Sequence, residues 1–112
     1  TMSAIDGVAV GLTSTDIGVD EPSTTPIGFS LQRAGDLGTG VGLTWQAAQA
    51  ETPNALNANQ TVDGATCDEA TAPLINEFSF STTGADVEYI EIIGDADTDY
   101  SAYTFIVIEG EF

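Results

Sequence analysis

The chain has 112 residues, room for one modest core. Its 18 acidic residues face one base, Arg33, with no lysine or histidine, giving a net charge of −17. That balance excludes direct nucleic acid binding, which needs clustered cations to displace counterions, and attraction to anionic membrane surfaces.

Hydrophobic residues make up 42% of the chain, enough for a folded core. The longest apolar run, at residues 103–108, is strand length. It falls far short of the roughly 20 residues a membrane helix needs, so no membrane insertion is expected. So acidic a chain repels itself at low ionic strength, and screening or bound cations relieve that repulsion. An extracellular or cell-surface setting, salty or calcium-rich, is therefore expected. The plain alternative is a merely soluble, acid-rich surface. Cys67 is alone, so it is either a buried thiol or the partner of a cysteine elsewhere. No basic segment followed by an apolar one opens the chain, as expected of a processed protein or an internal piece.

Residues 5–12 (IDGVAVGL) place Val8, Val10 and Leu12 against Asp6, Ala9 and Gly11, and predict a strand. Residues 13–25, rich in Ser, Thr, Asp and Pro, predict a long loop. Residues 27–33 (IGFSLQR) alternate Ile27, Phe29 and Leu31 with Gly28, Ser30 and Gln32, the period of a half-buried strand. Glycines at 35–42 predict a turn before residues 43–45. The one helix candidate, residues 45–51 (WQAAQAE), stops at Thr52-Pro53 because the residue before proline avoids the α region. Residues 52–67 have little apolar content and predict a linker or crossing segment. Residues 74–80 (LINEFSF) place Leu74, Asn76, Phe78 and Phe80 on one face. Residues 87–93 (VEYIEII) alternate again, and 103–108 (YTFIVI) predict a central strand covered on both sides. About six strands with irregular turns point to an all-β antiparallel sandwich.

Two stretches carry a resemblance. Within residues 74–110, Ile75-Asn76-Glu77 is followed by a loop ending in Asp86, by residues 88–92 (EYIEI), and by residues 99–104 (DYSAYT). Earlier come residues 29–33 (FSLQR), Trp45, and residues 52–57 (TPNALN), where Asn54 stands at a position more often glycine. The first set resembles the opening, and the second the close, of the lamin-tail domain, an immunoglobulin-like sandwich of nuclear lamins and many secreted bacterial proteins. Together they cover about two thirds of the chain. The order is reversed, with closing motifs in residues 1–60, a linker at 61–73 and opening motifs in 74–112. The resemblance implies a unit that straddles two domains of a tandem protein, or a permuted unit completed by neighbouring copies. Either way it implies association through strand addition, since an open sheet leaves unpaired edge groups.

Catalysis has little to work with. Ser-His-Asp and Cys-His arrangements and a Schiff-base lysine are impossible here, and a Cys/His zinc site lacks ligands. In secreted bacterial proteins the resembled domain often accompanies a nuclease-type catalytic domain, whose motifs do not occur here, so the chain is not expected to be an enzyme. Calcium is the one cofactor the sequence suggests. Asp95, Asp97 and Asp99 alternate like the first half of an EF-hand loop, but Tyr100 and Ile106 replace the turn glycine and the bidentate glutamate. What is left is a looser carboxylate site with Asp86, or a solvated acidic turn. Asp16, Asp20 and Glu21 form a second acidic cluster. Asn76 and Glu77 are expected to pin a strand to a neighbouring loop, and Trp45, Phe78 and Phe80 to belong to the core. Tyr89, Tyr100 and Tyr103 are interface candidates. The function expected is a non-catalytic module that self-associates or joins adjacent domains in a filament, surface layer or array. The alternative is an accessory binding module of a secreted nuclease or other hydrolase.

Overall fold

The alternation of Phe29 and Leu31 with Ser30 and Gln32 builds the central strand. In the computed structural model, which describes residues 2–5, 7–39, 42–63, 72–80, 84 and 87–106, this is β1, Phe29–Asp36. It pairs antiparallel with β2, Thr44–Ala50, on one side and with β4, Leu74–Ser79, on the other. A two-residue strand, β3 (Gln60–Thr61), runs parallel to the end of β1 at Gly35 and Asp36. The outermost strand is β5, Tyr89–Ile93, antiparallel to β4. The order is β2-β1-β4-β5 with β3 beside β1, an open, mainly antiparallel all-β sheet. Residues from 1–60 and from 74–112 thus meet in one sheet, through β1 and β4.

Register decides what each face carries. Leu31 stands opposite Phe78, and Gln32 opposite Glu77, so one face is apolar and the other polar. On the apolar face Trp45 meets Phe78 edge-on at 5.1 Å, Phe78 lies 5.4 Å from Phe80, and the Arg33 guanidinium sits 4.7 Å over Trp45. Leu31 at the centre is 2% exposed, and burying it contributes about 1.5–3 kcal/mol. The polar face is buried more thoroughly. Ser30, Gln32, Asn76, Glu77 and Ser79 are all buried. Among the described residues the largest fully buried side chains are Gln32, Glu77, Asn76 and Ser30.

Four sequence expectations change. Residues 45–51 are not helical. Most of them form β2, because pairing with β1 outweighs the helix preference of Ala, Gln and Glu. Residues 74–80 do not alternate cleanly. The register shifts between Ile75 and Glu77, so Asn76 and Glu77 are both buried on the polar side while Phe78 faces away. Residues 5–12 form a single 3-10 turn, Gly7–Ala9, beneath a bridge from Ser3 to Thr13. Its glycines at 7 and 11 take left-handed backbone, which breaks the extended run. Finally, residues 103–106 lie in no strand and are exposed; the rest of that predicted strand lies outside the described residues.

Candidate functional site

The chemistry of the chain concentrates where β1, β4 and β5 meet the crossing segment that follows β2. Glu77 is wholly buried, and its Oε1 collects four donors. These are the Ser30 hydroxyl, Gln32 Nε2 at 3.3 Å, the Thr52 backbone N–H at 2.9 Å and the Tyr89 hydroxyl. The Thr52 hydroxyl lies within reach of Glu77 Oε2 (3.2 Å) and Asn57 Oδ1 (3.0 Å). Gln32 uses its whole amide: Nε2 also reaches Ser30 Oγ (3.0 Å) and the Ala50 carbonyl (2.7 Å), while Oε1 accepts from Ala58 N–H (3.3 Å). Hydrogen bonds to a charged acceptor contribute about 1.5–3 kcal/mol each. A buried network that is fully satisfied fixes one arrangement of the strands that supply it.

Residues 52–60 lie across this polar face like a strap. Asn57, 3% exposed, donates from Nδ2 to the carbonyls of Arg33 (3.2 Å) and Asn76 (3.0 Å). Its backbone N–H donates to Gln60 Oε1 at 2.9 Å, and Gln60 Nε2 donates to Asn76 Oδ1. Gln46 Nε2 on β2 donates to the Ala58 carbonyl at 3.0 Å. At the other end, Glu91 of β5 accepts from Asn54 N–H and Asn76 Nδ2, both at 2.7 Å. Asn54 has a φ of 60°, a left-handed turn that asparagine tolerates better than most residues. This accounts for asparagine at a position where the resembled pattern favours glycine. Asn76 and Glu77 thus pin a strand to a neighbouring loop, as the sequence leads one to expect.

The tyrosines have separate places. The Tyr89 hydroxyl belongs to the Glu77 network. Desolvation, together with its hydrogen bond to Glu77, raises its phenol pKa well above the ordinary value. Tyr100 accepts from Asp95 N–H at 2.6 Å and packs edge-on to Tyr103 at 6.0 Å, and Tyr103 is 58% exposed. Asp95, Asp97 and Asp99 lie on this turn; among the described residues no group of three or more His, Cys, Asp or Glu is placed to hold a metal ion. The Asp99 carboxylate accepts from Ser101 N–H at 2.8 Å, which holds its pKa below the usual carboxylate value. Asp86 and Cys67 lie outside the described residues. In the other acidic cluster, Glu21 Oε2 accepts from Phe80 N–H at 2.7 Å. Two surface grooves of about 440 and 500 Å³ run beside β5 and share Asn54 and Glu91.

One carboxylate that the sequence does not single out ties the far end of the sheet. Asp36 accepts from Asp63 N–H (2.8 Å), Gly38 N–H (2.9 Å) and the Thr39 hydroxyl (3.0 Å). These bonds, that from Asp63 foremost, hold its pKa below the usual carboxylate value. A depressed folded value means the tie is fully present above the unfolded value and is lost as pH falls through the folded one. A carbon-13 NMR titration is expected to place the Asp36 midpoint below 3.8. A midpoint at or above that value would show that the Asp63 amide is not bonded.

As an arrangement for chemistry the cluster is closed. Its central carboxylate is unreachable from solvent, and its partners are hydroxyls, amides and a backbone N–H. Compared with known families, with curated proteins and with solved structures, the chain finds no match.

Proposed function

We propose that this chain is a non-catalytic extracellular structural module, a lamin-tail-like sandwich unit completed by neighbouring copies or adjacent domains through strand addition. The observation that carries this reading is the open sheet, in which β2 and β5 are the edge strands among the described residues. An edge offers a row of backbone donors and acceptors to another chain. The interlock of Glu77, from the opening motif, with Ser30 and Thr52, from the closing motif, supports the lamin-tail likeness despite the reversed order. The sealed polar cluster supports a structural role for its carboxylate. With −17 on each copy, divalent cations enter as counter-charge between acidic surfaces. Asp95, Asp97 and Asp99 follow β5 closely in sequence, and Glu91 lies within it.

Light scattering of the chain with calcium, and then with a chelator, tests the reading. Polymers that dissociate on chelation are expected. A folded monomer indifferent to calcium would sink the proposal in favour of an accessory binding module carried by a secreted hydrolase.

A further inference from the structure

We infer that β4 and β5 of one copy seat on β1 and the strap of another, so that copies join by exchanging halves. This rests on the association with neighbouring copies proposed above and names the joint at which they meet. Backbone pairing divides the described chain in two. β1 and β2 pair along their length, from Phe29 with Ala50 to Ala34 with Thr44. β3 and the strap stay with them, and the Asp36 carboxylate holds the Asp63 amide at the end of that half. β4 and β5 pair in the same way, from Leu74 with Ile93 to Ser79 with Tyr89. Between the halves the register is shared at Leu31 with Phe78 and at Gln32 with Glu77. In sequence, residues 64–71 (GATCDEAT) connect them.

Side chains do most of the joining. Glu77 takes donors across the joint from Ser30, Gln32 and Thr52. The Asn76 carbonyl and side-chain oxygen accept from Asn57 and Gln60, and Glu91 holds the Asn54 amide. Arg33 Nε donates to the Ile75 carbonyl at 2.8 Å, and Glu21 accepts from Phe80 N–H at 2.7 Å. Trp45 of the first half packs on Phe78 of the second. Every one of these contacts links residues 2–63 to residues 72–106, so each half is a ready-made seat for the other.

A joint of this composition opens at modest cost. Ser30, Gln32, Asn57, Gln60, Asn76 and Glu77 are buried in it, yet water satisfies each of them once the halves part. Polar contacts between units of one chain resemble those of transient protein interfaces. Exchange re-forms the same contacts, so the closed and exchanged forms differ only in the connection and in the entropy of bringing copies together. Higher concentration therefore favours exchange. So does salt, which screens the repulsion between copies that each carry −17. Two copies that trade halves reciprocally make a closed pair, while copies that each pass a half onward make an open chain.

The test uses full-length chains with one defect each. Leu31→Asp spoils the first half, Glu77→Ala the second, and each alone is expected to lack the β spectrum. Mixed 1:1 in urea and refolded in about 0.5 M sodium chloride, they are expected to regain up to about half of the parent signal. Exchange lets the intact first half of one chain meet the intact second half of the other. A mixture that gives only the sum of its separate spectra overturns the inference. The parent supplies a second readout. Carbon-13-labelled and unlabelled parent chains, refolded together, should show a filtered NOE between the Trp45 ring of one copy and the Phe78 ring of another, 5.1 Å apart in the joint. Association without that signal means that copies meet at their edges, so exchange is wrong while strand addition stands. A parent that light scattering finds monomeric at every concentration and salt, with calcium or without, defeats this inference and the proposed function together.

Discussion

Glu77→Ala is expected to unfold the chain at room temperature. The substitution removes the acceptor shared by Ser30, Gln32, Tyr89 and the Thr52 amide. Ser30 is wholly buried and its hydroxyl cannot turn to water, whereas Gln32 Nε2 keeps Ser30 Oγ and the Ala50 carbonyl. Each buried donor left without a partner costs about 1–3 kcal/mol, and the loss of a charge-assisted acceptor adds to that. A total of about 4–6 kcal/mol reaches the lower part of the range in which small domains are stable at all. Glu77→Gln separates charge from shape. It keeps one carbonyl for the donors but replaces Oε2 with a second donor beside the Thr52 hydroxyl, so an intermediate loss of about 1.5–3 kcal/mol is expected. Urea melts followed by circular dichroism measure both. An alanine variant within about 1 kcal/mol of the parent would show that Glu77 does not hold the strands together.

Strands that repeat apolar residues at period two are legible in the sequence. Residues 27–33 and 87–93 locate β1 and β5 to within a few residues, because Phe29 and Leu31, or Ile90 and Ile92, alternate with polar neighbours. The polar core is not legible in this way. Ser30, Gln32 and Glu77 sit where alternation puts solvent, and only the strap over that face makes it interior. The cue for the strap is in residues 52–60 (TPNALNANQ), rich in amides and free of charge. Such side chains donate and accept at once, as a buried polar interface requires. Glu77 itself is reached through the resemblance, in which it pins a loop, while no local rule places a bulge at Asn76. β2 escapes a local reading because WQAAQAE favours a helix by propensity and a strand only by virtue of β1 alongside. The sequence at 5–12 alternates well but meets no neighbouring strand among the described residues: Val8 and Val10 are 86% and 61% exposed. Periodicity finds strands in the making, and a sheet keeps only those it can pair.

Phe78→Asp carries the second large effect, and it tests the opposite face. The Phe78 ring touches both Trp45 and Phe80, and it stands opposite Leu31 in register. Phe78 is half-buried, so truncating it costs at most the lower end of the about 3–5 kcal/mol of a core phenylalanine. A carboxylate adds the penalty of a charge drawn out of water. The one candidate counter-ion is Arg33, but its Nε donates to the Ile75 carbonyl at 2.8 Å and its guanidinium lies over Trp45. Pairing with the introduced carboxylate would therefore break two existing contacts to make one. The variant is expected to lose its β spectrum, and with it the assembly proposed above. Phe80→Asp, at a ring already 39% exposed, should keep the spectrum with a loss of about 1 kcal/mol. The contrast between neighbours separates the apolar face from a general intolerance of charge. If Phe78→Asp folds as well as Phe80→Asp, the rings of Trp45, Phe78 and Phe80 are surface decoration. The sheet would then be held by its polar face alone.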